Sequence, residues 1–241
     1  ASSEKYLQTL INMRKSIAYR GMDEHGEYLR KSVGLSHARL SIRDLTSGRQ
    51  PMIRYQGSHE YAIVFNGEIY NTDELISCLR KCGRTPDTTC DTEVILLMYM
   101  EYGEDFINML NGIFAFVIYD SAKEILIMAR DHAGIKPLFY TIQNNLLVFG
   151  SEIKALFAHP EIHPCVNADS FREIFGIGPA RTPGCGVFKN IQEMKPGHYA
   201  IYNASGLHIH KYWELTAREH TDSYEKTVET VSFLVSDSIK R

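Results

Sequence analysis

Apolar positions along the chain follow two periods. Residues 4–19 carry Leu7, Leu10, Ile11 and Ile17 at helical spacing, which predicts an amphipathic helix. Asn71 with Glu74 three residues later predicts a capping-box start, and Gly83 a stop, for a helix between them. "CDTEVILLMYMEYG", residues 90–103, predicts another, with Asp91 near its start and Gly103 past its end. Elsewhere the runs are short and nearly continuous: "HEYAIVFNG", "GIFAFVIYD", "EILIMARD", "KPLFYTI" and "LLVFGS". Gaps as short as "SAKE" and "QNN" join them, as antiparallel hairpins require. "VGLSHARLSI" predicts a further strand, "RGMDEHGEY" a glycine-punctuated loop and "TSGRQPM" a turn. Helices are expected over 152–160 and 167–178, a Gly/Pro-rich loop over 178–186, and the last strands within 186–215. "TAREHTDS" predicts a linker, ahead of a helix over 224–241 whose stripe of Tyr224, Val228, Val231, Val235 and Ile239 needs an apolar partner.

Helices grouped between antiparallel strand runs define an α+β class. Runs such as "IFAFVIY" and "ILIMA" suit strands buried on both faces, so two stacked sheets with helices outside are expected. The chain of 241 residues suffices for one large domain, or for one domain plus part of another. Its net charge of −3 provides no basic field for nucleic acid or an anionic membrane, and no apolar run approaches the ~20 residues of a membrane span. The five cysteines, Cys78, Cys82, Cys90, Cys165 and Cys185, are odd in number and form no CxxC pair. With no signal-peptide core in "ASSEKYLQTL", they point to a reducing, cytoplasmic setting without a disulfide framework or zinc site. The ten histidines fit no metal-ligand pattern.

One stretch resists a plain reading. In "YAIVFNGEIYNTDEL" an apolar run meets Asn66-Gly67, a strong turn signal, yet no returning strand follows. Arg39, the trio Asn66-Gly67-Glu68, and Asp91 each lie at the edge of a predicted element. An amino-acid site needs opposite charges. A guanidinium such as Arg39 forks onto an α-carboxylate, and carboxylates such as Glu68 and Asp91 hold an α-ammonium. A side-chain amide and a glycine N–H, here Asn66 and Gly67, can donate to a carbonyl oxygen that turns negative during acyl transfer. Taken singly, each has a plainer role: a surface arginine, a turn, a helix cap.

The combination resembles a known family. "RGMDEHG", "SHARLSIRDL", "QPM", "FNGEIYN", "CDTEVIL", "LNGIFAFVIYD", "ARDHAGIKPLFY", "FGSEIKAL" and "PGHY" follow the order and spacing of the glutaminase domain of asparagine synthetases, a class II glutamine amidotransferase of the N-terminal-nucleophile hydrolase fold. The resemblance runs from about residue 4 to Trp213. It implies a four-layer αββα sandwich over 1–213, with 214–241 as the linker and opening helix of an ATP-dependent synthetase domain. It implies glutamine hydrolysis that supplies ammonia for amidation of aspartate. Asn66 and Gly67 would form the oxyanion hole, Glu68 and Asp91 would contact the glutamine ammonium, and Arg39 with the Leu40-Ser41-Ile42 backbone would hold the carboxylate. No metal or cofactor is expected in this domain; ATP and Mg²⁺ would belong to the synthetase domain. Relatives are often dimeric, so a homodimer is an expectation. The block containing Asp131 and Lys136 is expected to be structural, serving the core and an interface.

The family's nucleophile is an N-terminal cysteine on the first strand, with its own α-amine as base. This chain begins "ASSEKYLQ" and carries no such residue, so it is expected not to hydrolyse glutamine by itself. Either it is part of a working enzyme, or it is a non-catalytic scaffold of a degenerate relative, similar to β-lactam synthetases or peptide-modifying enzymes. Retention of both charge partners and both oxyanion donors favours the first. A peptidase of the same fold suits the paired carboxylates less well. Met22, Ala38 and Cys90 depart from the usual residues of the family, and Cys90 lacks the N-terminal amine a substitute nucleophile would need.

Overall fold

A computed structural model describes residues 3–40 and 48–240. It opens with helix α1 (Ser3–Ser16) and a 3-10 turn, followed by the hairpin β1 (Glu24–Arg30) and β2 (Val33–Arg39). Next come β3 (Met52–Gln56), β4 (His59–Ile69), α2 (Thr72–Lys81) and α3 (Asp91–Tyr102). A strand block, β5 (Gly112–Asp120), β6 (Ile125–Arg130), β7 (Phe139–Gln143) and β8 (Leu146–Gly150), leads into α4 (Ile153–Phe157) and α5 (Ala168–Gly176). The chain then forms β9 (Gln192–Glu193), β10 (His198–Asn203), β11 (Gly206–Lys211) and α6 (Tyr224–Lys240).

Every strand pairing is antiparallel. One sheet of six runs β11-β10-β6-β5-β4-β3; facing it lie the hairpin β1-β2 and the three-stranded β8-β7-β9. The central strands are buried on both faces. Ile63, Phe65, Phe114 and Phe116 pack toward α3, against Ile95 and Met98. Ala62, Val64, Ala115 and Val117 pack toward the facing strands, against Leu35, Leu138 and Tyr140. A third cluster, with Val148, Leu156 and Met13, lies under α1 and α4. The four layers are therefore α2–α3, sheet, sheet and α1–α4, as the apolar runs predict. Helix α3 is buried from Asp91 through Tyr99, which explains its apolar residues on all sides.

Several local expectations are corrected. "RGMDEHGEY" is not a loop: from Glu24 it is strand β1, paired from Glu24↔Arg39 to Arg30↔Val33. Gly26 reads as a breaker in the sequence, but it sits in the strand because a Cβ there would lie 2.4 Å from the Gln50 carbonyl oxygen. Strand β3 begins at Met52, inside the segment read as a turn. β7 begins at Phe139, and Lys136–Leu138 precede it in a loop. The Asn71 capping box does not form; the Asn71 amide donates to the Met109 carbonyl at 3.0 Å and accepts from the Asn111 N–H at 2.9 Å. A capping box appears instead at Asn167 and Ser170, at the start of α5. Asn66-Gly67 is no turn either. Both lie within β4, opposite Ala115 and Phe114.

Gly67 owes its place to close approach. A Cβ there would lie 2.1 Å from the Ile113 carbonyl oxygen of β5. At the core's centre Phe106 is fully buried, with ring centroids 6.2 Å from Tyr99 and 5.7 Å from Phe116. Phe106→Ala is expected to cost about 3–5 kcal/mol, read as a lower midpoint in urea denaturation with an unchanged slope.

Candidate functional site

Between β2 and β8 the second layer is open. Among the described residues, β2 pairs with β1 alone and β8 with β7 alone. The opening is a cavity of about 320 Å³ floored by β4 and β5 and reached by α1, by the N-terminus of α3 and by the ends of β2 and β8. Alternation along β4 sends Ala62, Val64, Asn66 and Glu68 to this face. The volume lies at the lower end of small-molecule sites.

The cavity gathers most of the predicted residues. Arg39, Leu40, Asn66, Gly67, Glu68 and Asp91 all line it. Ser41 and Ile42 lie outside the described residues. Arg39 is buried at the end of β2, where its Nη1 reaches Glu24 Oε2 at 2.6 Å; their strands place the two residues directly opposite each other. Asp91 is not the N-cap of α3 but its first helical residue, with Cys90 as N-cap. Its Oδ2 accepts from the Ile69 N–H at 3.3 Å, and the positive helix end favours the carboxylate.

The loop that presents Asp91 is pinned by Glu93. Arg54 donates to it at 2.9 and 2.7 Å, the Thr88 hydroxyl at 2.6 Å, and the Asp87 and Thr88 N–H groups at 3.1 and 2.7 Å. Burial pushes the Glu93 carboxyl up, but these bonds outweigh it and hold the group below its ordinary value. Cys90 also lines the cavity, and burial raises its thiol. At neutral pH it is therefore a poor source of thiolate.

Hydropathy patterning did not single out two residues of this wall, His37 and Gln50. His37 Nε2–H donates to the Phe65 carbonyl at 3.0 Å, and its buried Nδ1 has no partner among the described residues. The Gln50 amide donates to that carbonyl at 3.1 Å and accepts from the Phe65 N–H at 2.6 Å. Both residues stand in blocks that carry the family resemblance, which was the signal available. Asp131 fits the structural reading: its carboxylate accepts from the N–H groups of Phe114, Ala133, Ile135 and Lys136 at 2.9–3.2 Å. Among the described residues, no three His, Cys, Asp or Glu side chains are placed to hold a metal ion, and no helix is long and apolar enough to cross a membrane.

Two stacked antiparallel sheets between helices, with a cavity at the edge of the central strands, define an N-terminal-nucleophile hydrolase architecture. The fold is shared with Bacillus subtilis glutamine phosphoribosylpyrophosphate amidotransferase in complex with ADP and GMP (TM-score 0.61, 20% identity, 86% of this chain and 46% of that one). A sequence model of the glutamine amidotransferase domain matches residues 1–213, and the chain belongs to that family. It is 43% identical over 234 residues to glutamine-hydrolyzing asparagine synthetase 3 of Bacillus subtilis, covering 97% of this chain and 38% of that protein. It is 34% identical to asparagine synthetase 2 of the same organism, covering 100% and 33%. It is 36% identical to the amidase chry2 of Gibberella zeae, covering 91% and 31%. The chain thus spans about a third of the length of these relatives.

His37 yields a pH prediction. Burial holds its imidazole down at about 4, the bond to Phe65 opposes this, and the Arg39 charge adds to it. In the unfolded chain it titrates near 6.5. Between those values the unfolded chain alone takes up the proton. Its contribution is therefore complete above about pH 6.5 and declines toward pH 4. Urea midpoints measured from pH 7.5 to 4.5 should fall more steeply for the native chain than for His37→Gln, and parallel curves would contradict this.

Proposed function

We propose that this cavity binds L-glutamine, as the glutaminase half of a glutamine-hydrolysing asparagine synthetase. The observation that carries the reading is the convergence of a buried guanidinium, two carboxylates and an Asn-Gly donor pair on one small cavity. Arg39 and the Leu40–Ile42 backbone would take the α-carboxylate, Glu68 and Asp91 the α-ammonium. The Asn66 amide and Gly67 N–H would meet the oxyanion as a thiolate attacks the side-chain amide carbon. Loss of ammonia leaves a thioester, which water hydrolyses to glutamate.

These 241 residues offer no activated thiol to the cavity. Cys90 reaches it, but with a raised thiol and no α-amine of its own. We therefore propose that a chain beginning at Ala1 holds glutamine without hydrolysing it. An N-terminal cysteine borne on an extended segment would complete the reaction. The opening between β2 and β8 offers two strand edges to receive such a segment. The partners we propose are glutamine and a synthetase domain that follows Trp213, packs on the exposed Val228, Val231 and Val235 of α6, and binds ATP and Mg²⁺ for aspartate amidation. The five free cysteines suit a cytoplasmic protein.

The experiment uses the full-length protein carrying the N-terminal cysteine. Asn66→Ala should cut glutamine hydrolysis by roughly 10²–10³ while leaving ammonia-dependent synthesis intact. No glutamine hydrolysis by the unmutated protein, with synthetase activity unaltered by Asn66→Ala, would establish the scaffold reading. Asp91→Asn should weaken binding of the product L-glutamate about tenfold by calorimetric titration, and undiminished affinity would remove Asp91 from the site.

A further inference from the structure

We infer that Gln50 is the positioning residue of the oxyanion strand, acting through the Phe65 peptide that precedes Asn66; this rests on the glutaminase reading above. The geometry is that of a strand continued by a side chain. β3 covers β4 through the pair Met52↔Ile63, and the ladder goes no further. Two residues further along β4, the N–H and C=O of Phe65 point to the side β3 has left. The Gln50 side chain satisfies both, at 2.6 and 3.1 Å, as a backbone amide of a neighbouring strand would.

Gln50 also links three of the elements that line the cavity, β4, β2 and α3. The Phe65 carbonyl it holds is shared with His37 of β2, two residues before Arg39. Its amide reaches Thr92 Oγ1 at 3.3 Å, on α3 beside Asp91. Gln50 is buried, and β1 passes against its carbonyl at Gly26. Its freedom to move is small, so the Phe65 peptide is fixed from one rigid point. The Asn66 amide hangs from the next residue, and a shift of the peptide moves this donor away from the developing charge. The expected loss is therefore in kcat, not in glutamine affinity.

Gln50→Glu tests this in the full-length, cysteine-bearing protein. Its carboxylate still accepts from Phe65 N–H but cannot donate to Phe65 C=O; burial against that carbonyl oxygen raises a carboxyl well above its ordinary value, and the protonated form can donate. Relative to wild type, glutaminase kcat should fall about tenfold at pH 8 and recover to within about threefold at pH 6, with KM moved less than about threefold. Gln50→Ala should lose kcat at both pH values without recovery. If Gln50→Ala does not fold, the two Gln50→Glu measurements decide alone. A variant-to-wild-type ratio that is flat with pH, or a loss confined to KM, overturns the assignment. Asn66→Ala run alongside separates the two claims. A silent Asn66→Ala overturns the oxyanion reading and this inference with it; a full Asn66 effect with a flat Gln50→Glu profile overturns the Gln50 role alone.

Discussion

Nine consecutive residue pairs, from Tyr61↔Asp120 to Ile69↔Gly112, join β4 to β5, and the rest of the domain is arranged around that seam. It lies within the six-stranded sheet, flanked by β3 and β6, with helices packed on one face and the second strand layer on the other. On the helix side the large rings of Phe65, Phe114 and Phe116 fill the core. On the other side Ala62, Val64 and Ala115 are small, and the sheet there leaves space for a cavity. Because side chains alternate along a strand, the seam that buries Phe65 on one face must aim Asn66 at the other. Near its end the two backbones approach so closely that a Cβ on Gly67 or Gly112 would collide with a carbonyl oxygen across the gap.

Charge is placed on this frame with compensation nearby. Arg39 and Asp91 are buried, and a buried charge is costly unless it is paired or hydrogen-bonded. Arg39 lies against Glu24 on the adjacent strand, and Asp91 sits in the first turn of a helix with the Ile69 N–H directed at it. The Glu93 knot of Arg54, Thr88 and Asp87 ties the same helix start to β3. The cavity wall thus carries both signs of charge, with Arg39 held between β1 and β2 and Asp91 between α3 and β4. On the glutaminase reading proposed above, both signs serve the two ends of an amino-acid zwitterion.

Much of this was legible in the residues. Continuous apolar runs such as "IFAFVIY" announced strands buried on both faces, and the short gaps announced their antiparallel pairing, because those features depend on neighbours in sequence. The misreadings came where a residue answers to a distant partner. Gly26 looked like a loop because nothing local reports that the Gln50 carbonyl passes over it. Asn66-Gly67 looked like a turn because dipeptide chemistry cannot register the β5 backbone beside it. Asn71 looked like a cap, but its amide is taken by residues about forty positions away. Arg39, Asn66, Gly67, Glu68 and Asp91 were visible as a candidate set through family resemblance, and their meeting in one cavity required the fold. His37 and Gln50 contribute through hydrogen bonds to a backbone peptide, which no side-chain pattern encodes.

On the glutaminase reading proposed above, one amino-acid zwitterion spans this cavity between Arg39 and the Glu68–Asp91 pair. The most direct measurement is a crystal structure of the full-length, cysteine-bearing protein with the product L-glutamate bound. Its α-carboxylate should lie within about 3 Å of the Arg39 guanidinium, with its α-ammonium at Glu68 and Asp91 and its side chain directed toward Asn66 and Gly67. Glutamate in the reverse orientation, or seated elsewhere while this cavity holds only water, would contradict it.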